Sequence, residues 1–156
     1  MNAAYINPFI QGAQSVFNTL CKEAPSLGKL FVKSAPYTPS QVSIALNIIG
    51  EIHGEVVYNM TELDGYYVAS LMMFGMPVTA FDDMTKSAVS ELANMISGHV
   101  ATIFAGKGIK VDITPPNFHL DAAPGVFKAV SKAEKVVCVP LHFNAGPILH
   151  VDIVFS

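Results

Sequence analysis

Near the start of the chain, Ile10, Ala13, Phe17 and Leu20 recur at the spacing of a single helical face. Pro8 stands where a first helical turn tolerates proline, with Asn7 before it as an N-cap, so the pattern predicts helix one from about Pro8 to Glu23. The pattern then changes. Lys29 to Ser34 is short and strand-like, and after the turn-rich run Ala35-Pro36-Tyr37-Thr38-Pro39 come two branched and aromatic segments, Val42 to Ile49 and Glu55 to Met60. Gly50 and Gly54 lie between these two, which predicts a β-hairpin. Helix two follows over Glu62 to Phe74, opened by Thr61 as a cap, closed by Gly75 and Pro77, and apolar at Val68, Leu71 and Met72. Asp82 or Asp83 caps helix three, about Met84 to Phe104, which ends at Gly106 and Gly108. Ile109 to Thr114 then reads as a strand, and Lys135 to Asn144 and Ile148 to Phe155 as a second hairpin about the turn Asn144-Ala145-Gly146-Pro147.

Written as elements, helix, strand, strand, strand occurs twice, with helix two between the halves. No βαβ alternation and no glycine-rich phosphate loop is present, so the strands are expected to pair antiparallel in an α+β fold. A chain of 156 residues is one domain's worth, and no linker divides it. The reading is a single domain, 1–156, with a pseudo-twofold repeat and a six-stranded, mostly antiparallel sheet carrying its helices on one face.

Composition narrows the function. The basic residues are nine scattered lysines with no arginine and the net charge is −3, so the fork-shaped donors and basic stripe of a nucleic-acid binder are missing. The longest apolar stretch, Tyr66 to Phe81, is broken by Ser70, Gly75 and Pro77, and residues 1–20 have no basic start or small-residue cleavage site. Neither export nor membrane insertion is expected. Cys21 and Cys138 are flanked by apolar neighbours and suit buried thiols in a reducing cytoplasm. The hydrophobic share of 51% is high for a soluble chain, and a second subunit is expected to cover part of it.

The candidate chemistry lies on helix three. At about 100° per residue, Val89, Leu92, Ile96, Val100 and Ile103 fall in one stripe roughly 80° wide that must face the core. Ser87, Glu91, Asn94 and Gly98 fall in a stripe about 60° wide opposite it, with Met95 at its edge. A carboxylate and an amide thus stand together on the exposed side. An amide accepts from and donates to one water and so can aim it, whereas a carboxylate can pair with a partner's lysine. Hydrolysis of an acyl phosphate needs little else from the protein. The same row also suits the solvated face of any amphipathic helix.

The run Ser87-Ala88-Val89-Ser90-Glu91-Leu92-Ala93-Asn94-Met95-Ile96-Ser97-Gly98 resembles the active helix of the CheC/CheX/FliY phosphatase family, whose pattern is Asp/Ser-x-x-x-Glu-x-x-Asn. The family's pattern continues to a proline, and Pro116 in Asp112-Ile113-Thr114-Pro115-Pro116 is similar to that segment. Tyr5-Ile6-Asn7-Pro8-Phe9 and the hairpin Ile48 to Tyr58 resemble CheX as well, so the likeness spans nearly the whole chain. It implies the CheC-like fold and a phosphatase acting on a phosphorylated CheY-type response regulator. Asn94 would position water for in-line attack on the phosphoaspartate, and Glu91 would pair with the regulator's active-site lysine. Ser87, Met95, Gly98 and Pro116 would contact the partner. No cofactor is expected on this chain, Mg²⁺ is expected on the partner, and a homodimer is expected. CheC-type relatives carry two such helices; here the equivalent face of helix one offers Asn7, Gln11, Gln14 and Asn18 and no carboxylate, so a single active face per chain is expected.

Other constellations read as structural. His142, His150 and Asp152 share one face if the last turn spans three residues, but lack a fixed ligand spacing. His53 with Glu51 and Glu55 reads as a solvated turn, and of Met72, Met73, Met76, Met84 and Met95 only Met95 is expected to be exposed. The rival function is a module of this fold that binds a regulator, or another subunit, without hydrolysing anything.

Overall fold

A computed structural model describes residues 3–156. Its elements run α1 (Ala3–Cys21), β1 (Ser26–Leu27), β2 (Phe31–Ser34), β3 (Val42–Gly50), β4 (Gly54–Met60), α2 (Glu62–Met72), α3 (Asp83–Gly106), β5 (Val111–Ile113), β6 (Asn117–Leu120), α4 (Lys128–Lys132), β7 (Lys135–His142) and β8 (Ile148–Phe155). All the strands form one antiparallel sheet in the order β1-β7-β8-β4-β3-β5, with β2 also on β7 and β6 also on β3. The eight strands therefore occupy six positions across the sheet: each outer position is split into two short strands. The split edge strand of each half pairs with the hairpin of the other, and β4 meets β8 at the centre, as a twofold relation between halves requires.

The period-2 alternation of the central strands turns Val42, Ile44, Leu46 and Ile48, Val56, Tyr58 and Met60, and Leu149, Val151 and Ile153 toward α1, α2 and α3. The long helices lie antiparallel. Tyr5 at the start of α1 stacks edge-on with Phe104 near the end of α3, centroids 6.0 Å apart, while Thr19 and Leu20 share a groove with Met95 and His99. They cross at Gly12, where a Cβ would lie 3.1 Å from Val100 Cγ2 and 3.3 Å from the Ile96 carbonyl. α1 buries Phe9, Gly12, Ala13, Val16 and Phe17 in the same order of spacing as α3 buries Val89, Leu92, Ala93, Ile96 and Ser97.

The opposite face of the sheet carries a smaller core of Tyr37, Ala45, Val57, Phe127, Val130, Val136 and Val154, so the short α4 sits away from the other helices. Polar groups are buried there as well. Asp152 is wholly buried, and its Oδ2 accepts from Lys33 Nζ at 2.7 Å, Tyr37 OH at 2.5 Å and Asn59 Nδ2 at 2.6 Å. Ser43 Oγ donates to Asn59 Oδ1 at 2.6 Å, extending the network, while Asp152 Oδ1 has no hydrogen-bond partner among the described residues. Burial, then the Asp152 charge, drives the Tyr37 hydroxyl and the Cys138 thiol to pKa values well above normal, so both stay protonated.

Several expectations need correction. α1 begins at Ala3 with Pro8 inside it, because Tyr5, Ile6 and Phe9 bind that turn into the core and outweigh one missing backbone donor. Asn7 is helical, not a cap. Helix two stops at Met72, the strand predicted over Ile109 to Thr114 contracts to Val111–Ile113, and Ile103 is half-buried, with Phe104 taking the core position at that end of α3. Glu55, read as part of a solvated turn, is buried: its side chain points to the α4 side and accepts from Val130 N at 2.9 Å. Met76 and Met84 are exposed and Met95 half-buried, the reverse of the expected order. Cys138 is buried, whereas the Cys21 side chain lies outside the described residues.

Candidate active site

α3 is fixed at its start by Asp82, whose Oδ1 accepts from Thr85 N at 2.8 Å. Bonds from the Thr85 side chain and backbone hold the Asp82 carboxyl below its ordinary pKa, which keeps the cap ionised at the positive end of the helix. Eight inward residues, Thr85, Val89, Leu92, Ala93, Ile96, Ser97, Val100 and Phe104, are buried. They fix the rotation of α3 about its axis. A hydroxyl pair adds a directional bond: Tyr58 OH and Ser97 Oγ lie 2.8 Å apart in the core, three residues along the helix from Asn94. A serine set in an apolar stripe was the sequence signal for it.

With the inner face so fixed, the outer row is Ser87 and Glu91, exposed, then Asn94, Met95 and Gly98, half-buried. At a rise of about 1.5 Å per residue the row is about 16 Å long, with Glu91 and Asn94 roughly one turn apart. No hydrogen bond or ion pair among the described residues engages the Glu91 or Asn94 side chain. Both are left to serve an external group. A Cβ on Gly98 would meet only Ile113 Cδ1, at 3.9 Å, so the turn after Asn94 is open to a close approach.

The row has two flanks. On one, β5 and β6 pack along α3, with half-buried Pro116 in the link between them and Lys86 Nζ 5.9 Å above the Phe118 ring. On the other lies a groove of about 390 Å³ between α1 and α3, lined by Ser15, Val16, Thr19, Leu20, Met95, His99 and Thr102. The equivalent face of α1 places Asn7, Gln11 and Asn18 at the surface, while Gln14 Nε2 donates to the Pro25 carbonyl at 3.4 Å. It holds no carboxylate.

The terminal hairpin has a turn of five residues rather than three, 143–147, and pairs His142 with Ile148 and Pro140 with His150. His142, His150 and Asp152 therefore do share a face, but Asp152 is occupied by the Lys33 network, and among the described residues no group of three His, Cys, Asp or Glu is gathered as a metal cage. Burial, followed by the nearby Lys33 charge, holds His150 below the usual histidine pKa. No described helix is long and apolar enough to cross a membrane.

The profile of the family described as chemotaxis phosphatase CheX matches residues 42–142. CheY-P phosphatase CheX of Thermotoga maritima is 31% identical over 116 residues, covering 74% of this chain and 75% of that protein. A chain in the crystal structure of the CheX–CheY–BeF3–Mg²⁺ complex of Borrelia burgdorferi superposes with a TM-score of 0.80 at 28% identity, covering 97% of each chain. A crystal structure of chemotaxis protein CheX from Desulfovibrio desulfuricans gives 0.81 at 22% identity, over 98% of this chain and 99% of that one. The helix that carries Glu91 and Asn94 lies within the matched segment, and the chain belongs to the chemotaxis phosphatase CheX family.

Proposed function

We propose that this protein hydrolyses the phosphoaspartate of a CheY-type response regulator, with Asn94 and Glu91 as the two groups that act on it. The carrying observation is that both side chains stand on one outward face of a rigidly packed helix with no partner among the described residues. The Asn94 carbonyl accepts from a water while its amide N–H donates to the same oxygen, which holds a lone pair toward phosphorus opposite the aspartyl oxygen. Glu91 accepts from the regulator's lysine ammonium, which fixes the relative placement of the two proteins. Orientation of the nucleophile is a large fraction of what such a reaction needs, and the Mg²⁺ that balances phosphoryl charge belongs to the regulator. In the Borrelia burgdorferi complex, CheX is bound to CheY with BeF3 and Mg²⁺.

Ser87 and Gly98 extend the contact along the helix, Met95 covers the groove side and Pro116 the opposite flank. Exposed Leu27, Leu30, Phe31 and Val32 at one edge of the sheet offer apolar area to a second copy, consistent with a homodimer. A response regulator as substrate places the protein in the cytoplasm.

The reading is tested by turnover. A catalyst at a small fraction of the regulator concentration empties the whole phosphorylated pool, whereas a binder protects or sequesters only its own equivalent.

A further inference from the structure

The five-residue row on α3 is too small to hold a regulator by itself, since a stable protein contact covers about 800 Å² on each partner and roughly 20–30 residues. The partner must also cover what borders the row. α2 packs across the N-terminal half of α3: Tyr66 stacks on Phe81 at 5.1 Å, and Val68 shares one apolar pocket with Val89, Leu92 and Ala93. The connection from α2 to α3 ends at Asp82, at the same end of α3 as Ser87 and Glu91. Apolar side chains of α2, of the connection and of the first turn of α3 face solvent: Leu63, Met76 and Met84 are exposed and Phe74 is 98% exposed. Met84 lies within about 20° of Glu91 on the helix wheel.

Phe74 is the informative one. Gly75 N donates to the Ser70 carbonyl at 2.8 Å, the closing bond of a Schellman turn, and Phe74 occupies the left-handed position of that turn with φ 57°. That position favours glycine, because a Cβ there crowds the backbone. Here the glycine is one place further on, and a phenylalanine takes the strained site while touching almost nothing. The turn accounts for the backbone conformation, but nothing in the fold accounts for a phenylalanine at that position, since its side chain is almost wholly exposed.

We propose that Phe74, with Met76 and Met84, is a docking anchor for the phosphorylated CheY-type regulator, inserting into an apolar recess beside its phosphorylation site while Glu91 and Asn94 enter the site itself. The occupant is assigned from the continuity of Met84 with the Ser87–Glu91 row, and the inference rests on that row being the catalytic face. Exposed aromatic anchors of this kind carry much of the energy of protein contacts.

The test uses the full chain and a Phe74→Gly substitution. Thermal unfolding should shift upward by about 2–4 °C, because the strain is relieved. Binding to BeF3- and Mg²⁺-loaded regulator, measured in an Asn94→Ala background that docks without turnover, should weaken at least tenfold. In the otherwise native protein the KM for phosphorylated regulator should rise with kcat little changed. A stabilised variant with native affinity overturns the anchor and leaves the catalytic row standing. So does a variant that loses self-association but keeps its regulator affinity, which would assign the patch to a second copy. If the native protein neither binds nor dephosphorylates the regulator, the catalytic row falls and the anchor falls with it.

Discussion

Replacing Gly98 by alanine should make the protein more stable and a poorer phosphatase. Gly98 lies inside α3, and a helical glycine is less favourable than alanine by about 0.8–1 kcal/mol, because it leaves more freedom in the unfolded chain. Whether that gain is realised depends on room for the new methyl. Its only near neighbour would be Ile113 Cδ1 at 3.9 Å, an ordinary van der Waals distance, unlike the 3.1 and 3.3 Å contacts that a Cβ would make at Gly12. The bond from Thr102 Oγ1 to the Gly98 carbonyl, 3.2 Å, uses backbone that the substitution leaves in place. The net change should therefore be a gain of about 0.5–1 kcal/mol, a rise of about 1–4 °C in Tm for a chain of this size, read by circular dichroism or scanning calorimetry. The same methyl stands one turn beyond Asn94 on the face proposed to meet the regulator, so the KM for phosphorylated regulator should rise several-fold. A fall in Tm would refute the placement of Gly98 on an open face. A higher Tm with an unaltered KM would show that the partner does not approach this turn.

Other consequences can be checked separately. Asp152→Ala removes the acceptor shared by Lys33, Tyr37 and Asn59 and leaves buried donors unpaired; it should cost about 3 kcal/mol in urea unfolding, and native-like stability would contradict the network. His150 has a lowered pKa, so the unfolded chain takes up its proton first as pH falls; stability should drop below about pH 6.5, and His150→Gln should flatten that part of the profile, a result measured by denaturation at a series of pH values. Gln11→Ala combined with Gln14→Ala should leave the dephosphorylation rate near native, because that face of α1 offers no carboxylate to a lysine. A loss as large as that from Asn94→Ala would establish a second working face.

The elements with strong periodicity were readable from sequence because their neighbours share one simple environment. Both hairpins, the inner stripe of α3 and the outward row of Glu91 and Asn94 follow from alternation or helical spacing alone. What escaped is set by distant partners. β1 is two residues long and exists because Ser26 and Leu27 pair with His142 and Leu141, far along the chain. Ser43, Asn59 and Asp152 are polar side chains on the strand face away from the long helices, and nothing in the local pattern signals their burial; they are buried because Tyr37 and the segment around α4 cover that face. Pro8 pointed to a helix start, but the apolar side chains before it extend the helix back to Ala3. The roles proposed for Glu91 and Asn94 rest on family resemblance, since the same two residues also suit an ordinary solvated face.

The most direct measurement is the decay of a phosphorylated CheY-type regulator in Mg²⁺ with a trace of this protein, comparing native chain, Asn94→Ala and Glu91→Ala. The account predicts that a substoichiometric amount of native protein empties the phosphorylated pool, and that each substitution lowers the rate about a hundredfold or more while the fold, by circular dichroism, is unchanged. Acceleration that survives in either folded variant would contradict the assignment of the α3 row as the site of hydrolysis.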